Sequence, residues 1–376
     1  LVEGEHISAV GEATKLTAPA NTETLALPGC TLLPGLIEGH SHLFLHPYNE
    51  TSWNDQVLME SRAERVARAT VHARKALEAG FTTVRDLGTE GAGYADVGLK
   101  QAIEKGVVPG PRLIVAGPAI VATGSYGPKG FAPHVKVPLG AEEADGVDEL
   151  VKVVRRQIGH GVDMVKVYAG YRWGPAHEAR PTFSIDELKL IVETAASSGR
   201  PVVAHASTAE GMRRATLAGV QTIEHGDGGT SEVFQLMKER GVAFCPTIAA
   251  GDAVSQYRGW DKKTQPEPPR IVQKRKSFGK ALAAGVIICA GGDVGVFSHG
   301  DNVRELEVMA DYGMPLLEVL RSATSVNAKV FYLDGKVGRI KTGLLADLVA
   351  VKGNPLERIS DLRHIELVMK GGRIVR

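Results

Sequence analysis

Cysteine and long apolar runs are both scarce in this chain of 376 residues. The three cysteines, Cys30, Cys245 and Cys289, include no CxxC pair and are odd in number. We therefore expect no disulfide scaffold and a reducing, cytoplasmic setting. The apolar runs are short, such as the one from Arg112 to Val121, and none approaches the roughly 20 residues of a membrane span. Because the chain begins at Leu1 instead of Met, an export signal upstream of it stays an open alternative.

An excess of either charge is absent as well. The 44 Lys and Arg residues nearly balance the 43 Asp and Glu residues, which leaves a formal net charge of +1. Such a balance gives no electrostatic footprint for binding a nucleic acid or a membrane surface. We therefore expect a small molecule as the partner, and neither a nucleic acid nor a membrane. The oligomeric state stays open, with a homo-oligomer among the alternatives.

Short β-branched runs alternate with helical patterns through the middle of the chain, which is typical of parallel βαβ units. Several helical patterns end in a glycine, which can take the left-handed conformation that closes a helix. Eight such units predict an α/β fold, a (β/α)8 TIM barrel over residues 34–339, with an open doubly wound sheet as the alternative. The predicted strands are Leu36–His42, Phe81–Leu87, Arg112–Ala119, Met164–Ala169, Pro201–Ala206, Thr222–His225, Ala243–Ile248 and Val286–Asp293. The predicted helices are Ser61–Ala79, Ala141–Gly159, Ser184–Ser198, Ala209–Ala218, Ser231–Arg240 and Ile271–Ala284.

The two ends of the chain differ from the middle. Residues 1–33 and 340–376 contain short strand patterns and turn signals, such as Ala346–Val351 and Gly371-Gly372, without a helical period. We expect these two segments to form one small β-sandwich domain beside the barrel.

Residues His40 and His42 form an HxH pair at the end of the first predicted strand. Alternate side chains on a strand share a face, so both imidazoles should project together at the rim where barrel active sites lie. Neutral imidazole is a common zinc ligand. An HxH pair by itself is more often two ordinary core or surface histidines.

Lys166 lies in the apolar sequence Met164-Val165-Lys166-Val167, which predicts a buried strand. A buried lysine is costly unless it is paired, and burial favours the neutral amine. A neutral lysine can react with carbon dioxide to form a carbamate, an anionic ligand that can bridge two cations. The alternative is a lysine whose amine reaches solvent at the strand end.

Three further polar residues end predicted apolar strands: His205, His225 and Asp293. Each has an ordinary alternative, since a single histidine is more often a hydrogen-bonded core residue and Asp293 could cap the next helix. Five predicted strands would carry such residues to the same rim of the barrel. Five independent coincidences of this kind are improbable. The sequence therefore predicts a metal site whose ligands are His40, His42, Lys166, His205, His225 and Asp293.

The order of these motifs resembles the amidohydrolase superfamily, over nearly the whole chain. The resemblance includes Pro-Gly-Leu-Ile-Glu-Gly-His-Ser-His at residues 34–42 and the segments 79–86 and 343–349. Within the superfamily, the chain is most similar to the imidazolonepropionase-related branch, which contains metal-dependent Xaa-Pro dipeptidases and carboxypeptidases. Glu38 stands where Asp is commoner, and Gly292 replaces a more usual Thr before Asp293. Neither departure removes a ligand.

The resemblance implies a binuclear site with two divalent metal ions, zinc being the expected one. His40, His42 and Asp293 would bind one ion, His205 and His225 the other, and N-carboxylated Lys166 would bridge them. The implied reaction is hydrolysis of an amide bond in a small substrate, a dipeptide or an N-acyl amino acid. A metal-bound hydroxide would attack the carbonyl, and Asp293 would act as general base and then general acid.

Four residues are candidate substrate contacts. Tyr168 should face the same way as Lys166, and Arg172 and His134 fall in loops on the active rim, where either could bind a carboxylate. His299 follows the last predicted strand and could line the pocket. The alternatives are an aromatic core residue for Tyr168 and solvated loop residues for the other three.

Other functions stay possible from the sequence. A mononuclear deaminase or imidazolonepropionase-like ring hydrolase shares the HxH pair, but such relatives generally lack the lysine and often carry a glutamate soon after the position of His205. Here Ala206-Ser207-Thr208 follows instead. A non-catalytic scaffold would be expected to lose ligands, and none is lost. A carbamate, urea or amide-linked toxin could replace the peptide substrate, because loops set the substrate.

Overall fold

A computed structural model describes residues 1–132 and 134–376. Seventeen strands are assigned in the described part: β1 Val2–Glu3, β2 His6–Ile7, β3 Cys30–Pro34, β4 Leu36–Ser41, β5 Phe81–Asp86, β6 Arg112–Val115, β7 Ile120–Val121, β8 Glu142–Glu143, β9 Val165–Tyr168, β10 Gly170–Arg172, β11 Ala179–Pro181, β12 Val202–Thr208, β13 Thr222–Gly228, β14 Ala243–Cys245, β15 Leu348–Lys352, β16 Ile365–Lys370 and β17 Arg373–Ile374.

The α-helices of the described part are α1 Trp53–Leu58, α2 Arg62–Glu78, α3 Ala95–Glu104, α4 Gly146–Gly159, α5 Ile185–Ala196, α6 Ala209–Ala218, α7 Ser231–Arg240, α8 Ile248–Tyr257, α9 Pro269–Ala284, α10 Val303–Asp311, α11 Leu316–Arg321 and α12 Asn327–Val330. Short 3-10 helices cover Ala13–Lys15 and Ile359–Arg363, and a π-helical turn covers Ser322–Val326. None of the helices in residues 1–132 and 134–376 has the length and apolar character needed to cross a membrane.

Two parallel sheets form the centre of the molecule, which confirms an α/β fold with a parallel sheet. One contains β4, β5 and β6, and the other has the order β14-β13-β12-β9-β7-β8. Backbone hydrogen bonds link them on one side, where Asp163 N donates to Val115 O at 2.8 Å. On the other side, residues 286–290 run between β14 and β4. Phe244 N donates to Ile287 O at 2.8 Å, and Gly39 N donates to Ala290 O at 2.9 Å.

The prediction of a strand over Val286–Asp293 is wrong. Only single bridge pairs occur there, Ile288 with Phe244 and Val294 with Ser41. The pairing is irregular at Ala290, whose carbonyl accepts from both Gly39 N at 2.9 Å and the Asn327 amide at 2.8 Å, while its N–H donates to Ser322 O at 3.4 Å instead of to a strand. The strand predicted over residues 243–248 ends at Cys245, since Thr247 has a φ of +49° and α8 begins at Ile248.

The helices follow local signals that the sequence displays. In α2, the Ser61 hydroxyl accepts a hydrogen bond from Glu64 N, while Ala69, Ala73 and Leu77 bury one face. Helices α6, α7 and α9 end in left-handed glycines, as predicted. The helix predicted over residues 141–159 begins only at Gly146, because Glu142–Glu143 pairs with β7.

The segments near the two ends of the chain are joined by antiparallel pairing. Strand β3 pairs with β15 in a four-stranded sheet of order β17-β16-β15-β3. The β1–β2 hairpin is a separate two-stranded sheet, and a bridge between His6 and Leu345 joins it to the segment before β15. Ile7, Leu348 and Leu367 belong to the buried cluster of this region. The sheet therefore combines residues that are more than 300 positions apart in the chain.

Candidate active site

Neighbouring strands carry the predicted ligands to one side of the parallel sheets. His40 is near the end of β4, Lys166 lies in β9, and His205 and His225 lie in β12 and β13. Register places Lys166 beside Val203 and His205 beside Glu224 on adjacent strands. Because parallel strands end at a common edge, residues near the carboxyl ends come together.

Asp293 lies at the centre of the histidines. Its Oδ1 is 3.3 Å from His42 Nε2 and 3.5 Å from His40 Nε2, and its Oδ2 is 4.0 Å from His225 Nδ1. The ring centroid of His205 is 4.3 Å from that of His225. The fold thus brings five of the six predicted ligands into direct proximity.

Lys166 is 1% exposed, and its amine lies 5.9 Å from the ring centroid of Tyr168. The Tyr168 ring stacks on that of His205, with 4.4 Å between the centroids. Burial lowers the pKa of the Lys166 amine. The sixth predicted ligand is therefore a buried amine beside the histidines, in an environment that favours its neutral form.

The electrostatics of the cluster favour neutral imidazoles and an ionised aspartate. Burial, followed by the charge of Lys166, lowers the pKa of His40 to about 4 and that of His205 to about 3. Burial would raise the pKa of Asp293, but the nearby His40 and His42 outweigh it and hold the value below the usual range. Burial also opposes protonation of His42, yet the hydrogen bond and charge of Asp293 raise its pKa to about 9. These are the forms in which His and Asp bind metals, apart from His42, whose proton a metal ion would displace.

A buried ionic network supports His40 from behind. Glu224, which is fully buried, lies 2.8 Å from His40 Nδ1 through Oε2 and accepts a hydrogen bond from Arg85 at 2.9 Å through Oε1. Arg85 also donates to Gly39 O at 2.6 Å. Burial would raise the pKa of Glu224, but Arg85 and His40 reverse that effect and lower it. The network fixes the orientation of His40 so that its Nε2 faces Asp293.

Glu38 ties the first strand to the segment that carries Asp293. Its Oε1 accepts hydrogen bonds from Gly292 N at 2.8 Å and His40 N at 3.1 Å. Its Oε2 accepts one from the Asn302 amide at 2.9 Å. Burial raises the pKa of Glu38 to about 7. The longer Glu side chain is therefore fully engaged at the position where the sequence departs from the common Asp.

Strained backbone is concentrated around the cluster. His225, Asp293, Thr247 and Glu90 all have a positive φ, between +48° and +74°. Such conformations cost non-glycine residues roughly 1–3 kcal/mol each and persist where the surroundings enforce them. Thr247 contacts the site directly, because its hydroxyl lies 2.8 Å from His225 Nδ1. Such strain is typical of functional sites, which makes this cluster the candidate active site.

Comparison with known proteins identifies the family of this chain. The model of the amidohydrolase family matches residues 31–375. This chain belongs to the amidohydrolase family. The resemblance inferred from the sequence is thus confirmed, and the protein is a hydrolase that acts on amide bonds.

Individual relatives of this amidohydrolase extend over nearly all of the chain. Ochratoxinase of Aspergillus niger is 30% identical over 374 residues, which cover 92% of this chain and 75% of the relative. A crystal structure of a Xaa-Pro dipeptidase with bound methionine has a TM-score of 0.88 and 33% identity, covering 100% of this chain and 94% of the other. A prolidase complexed with N-methylphosphonate-L-proline has a TM-score of 0.85 and 30% identity, with coverages of 100% and 93%.

The residues of this amidohydrolase fit the divalent metal ions that its family generally binds. One ligand atom each of His40, His225 and Asp293 lies within 4.8 Å of the others. His40 Nε2 is buried and has no hydrogen-bond partner among residues 1–132 and 134–376, so a cation at this position would satisfy it. Glu224 and Cys245 form a second group with His40, but the Glu224 oxygens are already used by Arg85 and His40. Of the two groups, the first is therefore the one whose ligand atoms are available to metal ions.

The amidohydrolase places the four predicted substrate contacts differently. Tyr168 is buried against His205, as described above. Arg172 is exposed on the β10–β11 hairpin, with its guanidinium 5.6 Å from the Tyr171 ring centroid, and His134 is exposed in the loop before β8. His299 is buried, and its ring stacks on His72 at 4.2 Å while Nε2 lies 3.0 Å from Leu45 O. Of these four residues, only Tyr168 stacks on one of the predicted metal ligands, His205.

Sequence reasoning missed Arg85, Glu224 and Glu90. The signal for the first two was the one used for Lys166, a charged residue inside an apolar strand. No comparable signal existed for Glu90, which follows β5 in a loop. Its carboxylate accepts hydrogen bonds from Trp53 Nε1 at 3.0 Å, Tyr126 Oη at 2.5 Å and Tyr168 Oη at 3.4 Å. These partners come from three distant parts of the chain.

Proposed function

We propose that this protein is a binuclear metal-dependent amidohydrolase that cleaves an amide bond next to a free carboxylate. The observation that carries the proposal is the arrangement of four histidines and buried Lys166 around Asp293, with His40 Nε2 left without a partner. In this proposal His40, His42 and Asp293 would hold one zinc ion, and His205 of β12 and His225 of β13 would hold the other.

The proposed architecture is a closed (β/α)8 barrel over residues 34–339. Seven of the eight barrel strands would be β4, β5, β6, β9, β12, β13 and β14. Residues 286–290 would take the place of the eighth. The backbone hydrogen bonds from Phe244 to Ile287 and from Gly39 to Ala290 support this closure. Residues 1–33 and 340–376 would form the composite β domain, which the pairing of β3 with β15 supports.

Asp293 is proposed to move the proton. Bound metal ions polarise a carbonyl and lower the pKa of a coordinated water to about 7. Asp293 stays ionised because His40 and His42 lower its pKa, so its carboxylate accepts the proton of the attacking water. It then delivers that proton to the leaving amine, as general acid–base catalysis requires.

Lys166 is proposed to be N-carboxylated, and its carbamate would then be a ligand shared by the two metal ions. The support is its burial, which lowers the pKa of the amine and so makes the neutral, nucleophilic form easier to reach. A native mass spectrum should show a mass gain of one carbon dioxide that is lost in Lys166→Met. An unchanged mass in active, metal-loaded protein would contradict carboxylation.

The proposed substrates are dipeptides and N-acyl amino acids, so the enzyme would act as a dipeptidase or carboxypeptidase. Similarity to a Xaa-Pro dipeptidase and to a prolidase across the whole chain supports this class. Arg172 is the proposed donor to the substrate carboxylate, because it flanks Tyr171, whose ring centroid lies 5.8 Å from that of His205. A bidentate guanidinium suits a carboxylate.

The test is a hydrolysis screen of the zinc-loaded enzyme against dipeptides, N-acyl amino acids and aryl carbamates, with Asp293→Asn as the inactive control. Amidation of the substrate carboxylate should lower kcat/KM at least about tenfold, since a charge-assisted hydrogen bond contributes roughly 1.5–3 kcal/mol. Equal cleavage of free and amidated substrates would contradict carboxylate recognition.

A second candidate is hydrolysis of an amide-linked toxin. The 30% identity to ochratoxinase over 92% of the chain favours it. Including ochratoxin in the same screen separates the two, because a toxin hydrolase should prefer it to dipeptides in kcat/KM. Two metal ions per chain would support either candidate, whereas a single ion would favour the deaminase-like alternative.

A further inference from the structure

A buried carboxylate without a cationic partner borders the site. Glu90 is 3% exposed, and its three side-chain hydrogen bonds come from neutral donors: Trp53, Tyr126 and Tyr168. The buried cation beside it, Arg65, donates to backbone carbonyls, not to this carboxylate. Within residues 1–132 and 134–376, no cation forms a direct ion pair with the Glu90 carboxylate, and the charges of Arg65 and His42 act on it only from a longer distance. A buried charge of this kind is costly unless something compensates it.

The protein holds Glu90 in position at an energetic cost. Its φ of +48° lies in the left-handed region, which a glutamate rarely adopts. Arg65 fixes this conformation, since its guanidinium donates to Glu90 O at 2.8 Å, to Thr89 O at 2.9 Å and to Phe44 O at 3.1 Å. Strain that the surroundings enforce in this way is typical of functional positions.

The Glu90 carboxylate lies beside the proposed metal ligands. The Glu90 carboxylate and the His42 imidazole both lie next to Gly88. A Cβ built on Gly88 would be 3.4 Å from Glu90 Oε1 and 3.5 Å from His42 Cε1. Tyr168, which contacts Oε1, stacks on His205. Oε2 already has two short hydrogen bonds, whereas Oε1 has only the long contact to Tyr168 at 3.4 Å. Oε1 therefore keeps capacity to accept from a ligand.

We propose that Glu90 binds the protonated α-amino group of a dipeptide substrate. This inference rests on the proposed function, and it selects dipeptides with a free amino terminus over N-acyl amino acids. The α-amino group is attached to the carbon next to the scissile carbonyl, so it must lie close to the metal ligands when that carbonyl is in place. A substrate carboxylate in the same position would meet the like charge of Glu90. The carboxylate therefore binds on the leaving-group side.

The kinetic test compares alanyl-leucine with propionyl-leucine, which differ only in the α-amino group. At about pH 6.5 the amine of the dipeptide is protonated. Wild-type enzyme should prefer alanyl-leucine in kcat/KM by at least about tenfold, as expected for a charge-assisted hydrogen bond. Glu90→Gln, which keeps the shape and removes the charge, should reduce this preference to within about twofold, mainly by slowing cleavage of alanyl-leucine.

Two control variants separate recognition from packing. Tyr126→Phe removes a donor to Glu90 but keeps its charge, so the preference should persist. Glu60→Gln alters another carboxylate of this region, one already paired with His46 at 2.6 Å, and should leave the preference unchanged. If Glu90→Gln slows both substrates equally, Glu90 has only a structural role and the inference is wrong.

A binding measurement keeps the inference testable without turnover. Ketomethylene isosteres of alanyl-leucine and propionyl-leucine cannot be hydrolysed, and their affinities for zinc-loaded wild-type protein can be compared by calorimetry. The isostere with the amine should bind at least about tenfold more tightly. Equal affinities would overturn the role of Glu90. Absence of hydrolysis of every dipeptide, together with the tenfold difference in binding, would instead reject the proposed reaction and keep Glu90 as an ammonium-binding residue.

Discussion

Individual side chains at the site are oriented by buried partners that lie behind the predicted metal ligands. Glu224 joins His40 to Arg85, and both of its carboxylate oxygens are occupied. Such partners of metal-binding histidines set the ring orientation and the basicity of the ligand nitrogen. Arg85 and Glu224 are therefore positioning residues, and their effect should appear in metal retention.

We predict that Glu224→Gln weakens zinc binding by roughly 10- to 100-fold, the usual effect of removing a carboxylate partner from a metal-binding histidine. The amide keeps the size of the side chain but removes the charge that pairs with Arg85. Chelator competition measures the change. Glu232→Gln, at an exposed glutamate of α7, serves as the control and should bind zinc like the wild type. Unaltered zinc affinity in Glu224→Gln would show that His40 needs no such support.

A second residue-scale prediction concerns His72 in α2. This histidine is 8% exposed, its Nδ1 lies 2.8 Å from Leu43 O, and burial lowers its pKa from 6.5 to about 4. Because the unfolded chain binds the proton more readily, stability is complete above about pH 6.5 and is lost as the pH falls toward 4. Protonation of His72 in the unfolded chain should therefore lower the free energy of unfolding of the wild type by about 2 kcal/mol between about pH 7.5 and 5.

Urea unfolding at these two pH values tests this expectation. In His72→Asn, which retains a donor near the position of Nδ1, the loss of unfolding free energy should be smaller by about 2 kcal/mol. The exposed His177, whose φ of +59° suits asparagine, provides the control His177→Asn, which should lose as much as the wild type. An equal loss in all three proteins would contradict a buried neutral His72.

At the scale of elements, close backbone contact explains why the last predicted strand is irregular. A Cβ at Gly291 would lie 2.6 Å from His40 N, 2.6 Å from Cys245 Sγ and 2.8 Å from Gly39 C. Only glycine permits this approach between the segment and β4. Asp293 N then donates to His40 O at 2.8 Å, which holds the carboxylate against the histidines.

We predict that Gly291→Ala destabilises the protein by about 1–3 kcal/mol or more, because the neighbouring backbone cannot yield easily. It should also lower activity by displacing Asp293. Gly279→Ala is the matched control, since Gly279 is exposed within α9 and a Cβ there meets nothing within 4 Å. This change should stabilise the helix by roughly 0.5–1 kcal/mol. Denaturant unfolding measures the stability of both variants. Equal stabilities of Gly291→Ala and Gly279→Ala would contradict the steric argument.

At the scale of the whole molecule, metal binding should be coupled to stability. The proposed ligands come from five segments spread between residues 40 and 293, so one site ties much of the chain together. A ligand that binds only the folded state stabilises it, by about 4 kcal/mol when its concentration is 1,000 times the Kd. Chelation should therefore lower the Tm by several degrees and abolish activity.

Zinc should restore both the Tm and the activity of the chelated protein. In Asp293→Asn, the Tm should respond less to chelation, because one ligand oxygen is lost. Calorimetric scans with and without chelator measure the effect, and elemental analysis should find two metal ions per chain. A Tm that is insensitive to chelation in active wild-type enzyme would contradict the proposed metal site.

The sequence by itself determined the family, the α/β class and most of the regular elements. Helices α6 and α7 match their predicted bounds residue for residue, because an amphipathic pattern and a terminal glycine are local signals. It also predicted the residues that lie around Asp293, since a polar residue at the end of an apolar run can be recognised from the sequence.

Only the tertiary structure decided how those residues are supported. The pairing of Arg85 with Glu224, the backbone approach at Gly291 and the setting of Glu90 each join segments distant in the chain. The positive φ values of His225 and Asp293 likewise depend on surroundings that no local pattern encodes. The physical reason is that burial, ion pairing and steric contact are properties of the packed molecule, whereas periodicity and capping act within a few residues along the chain.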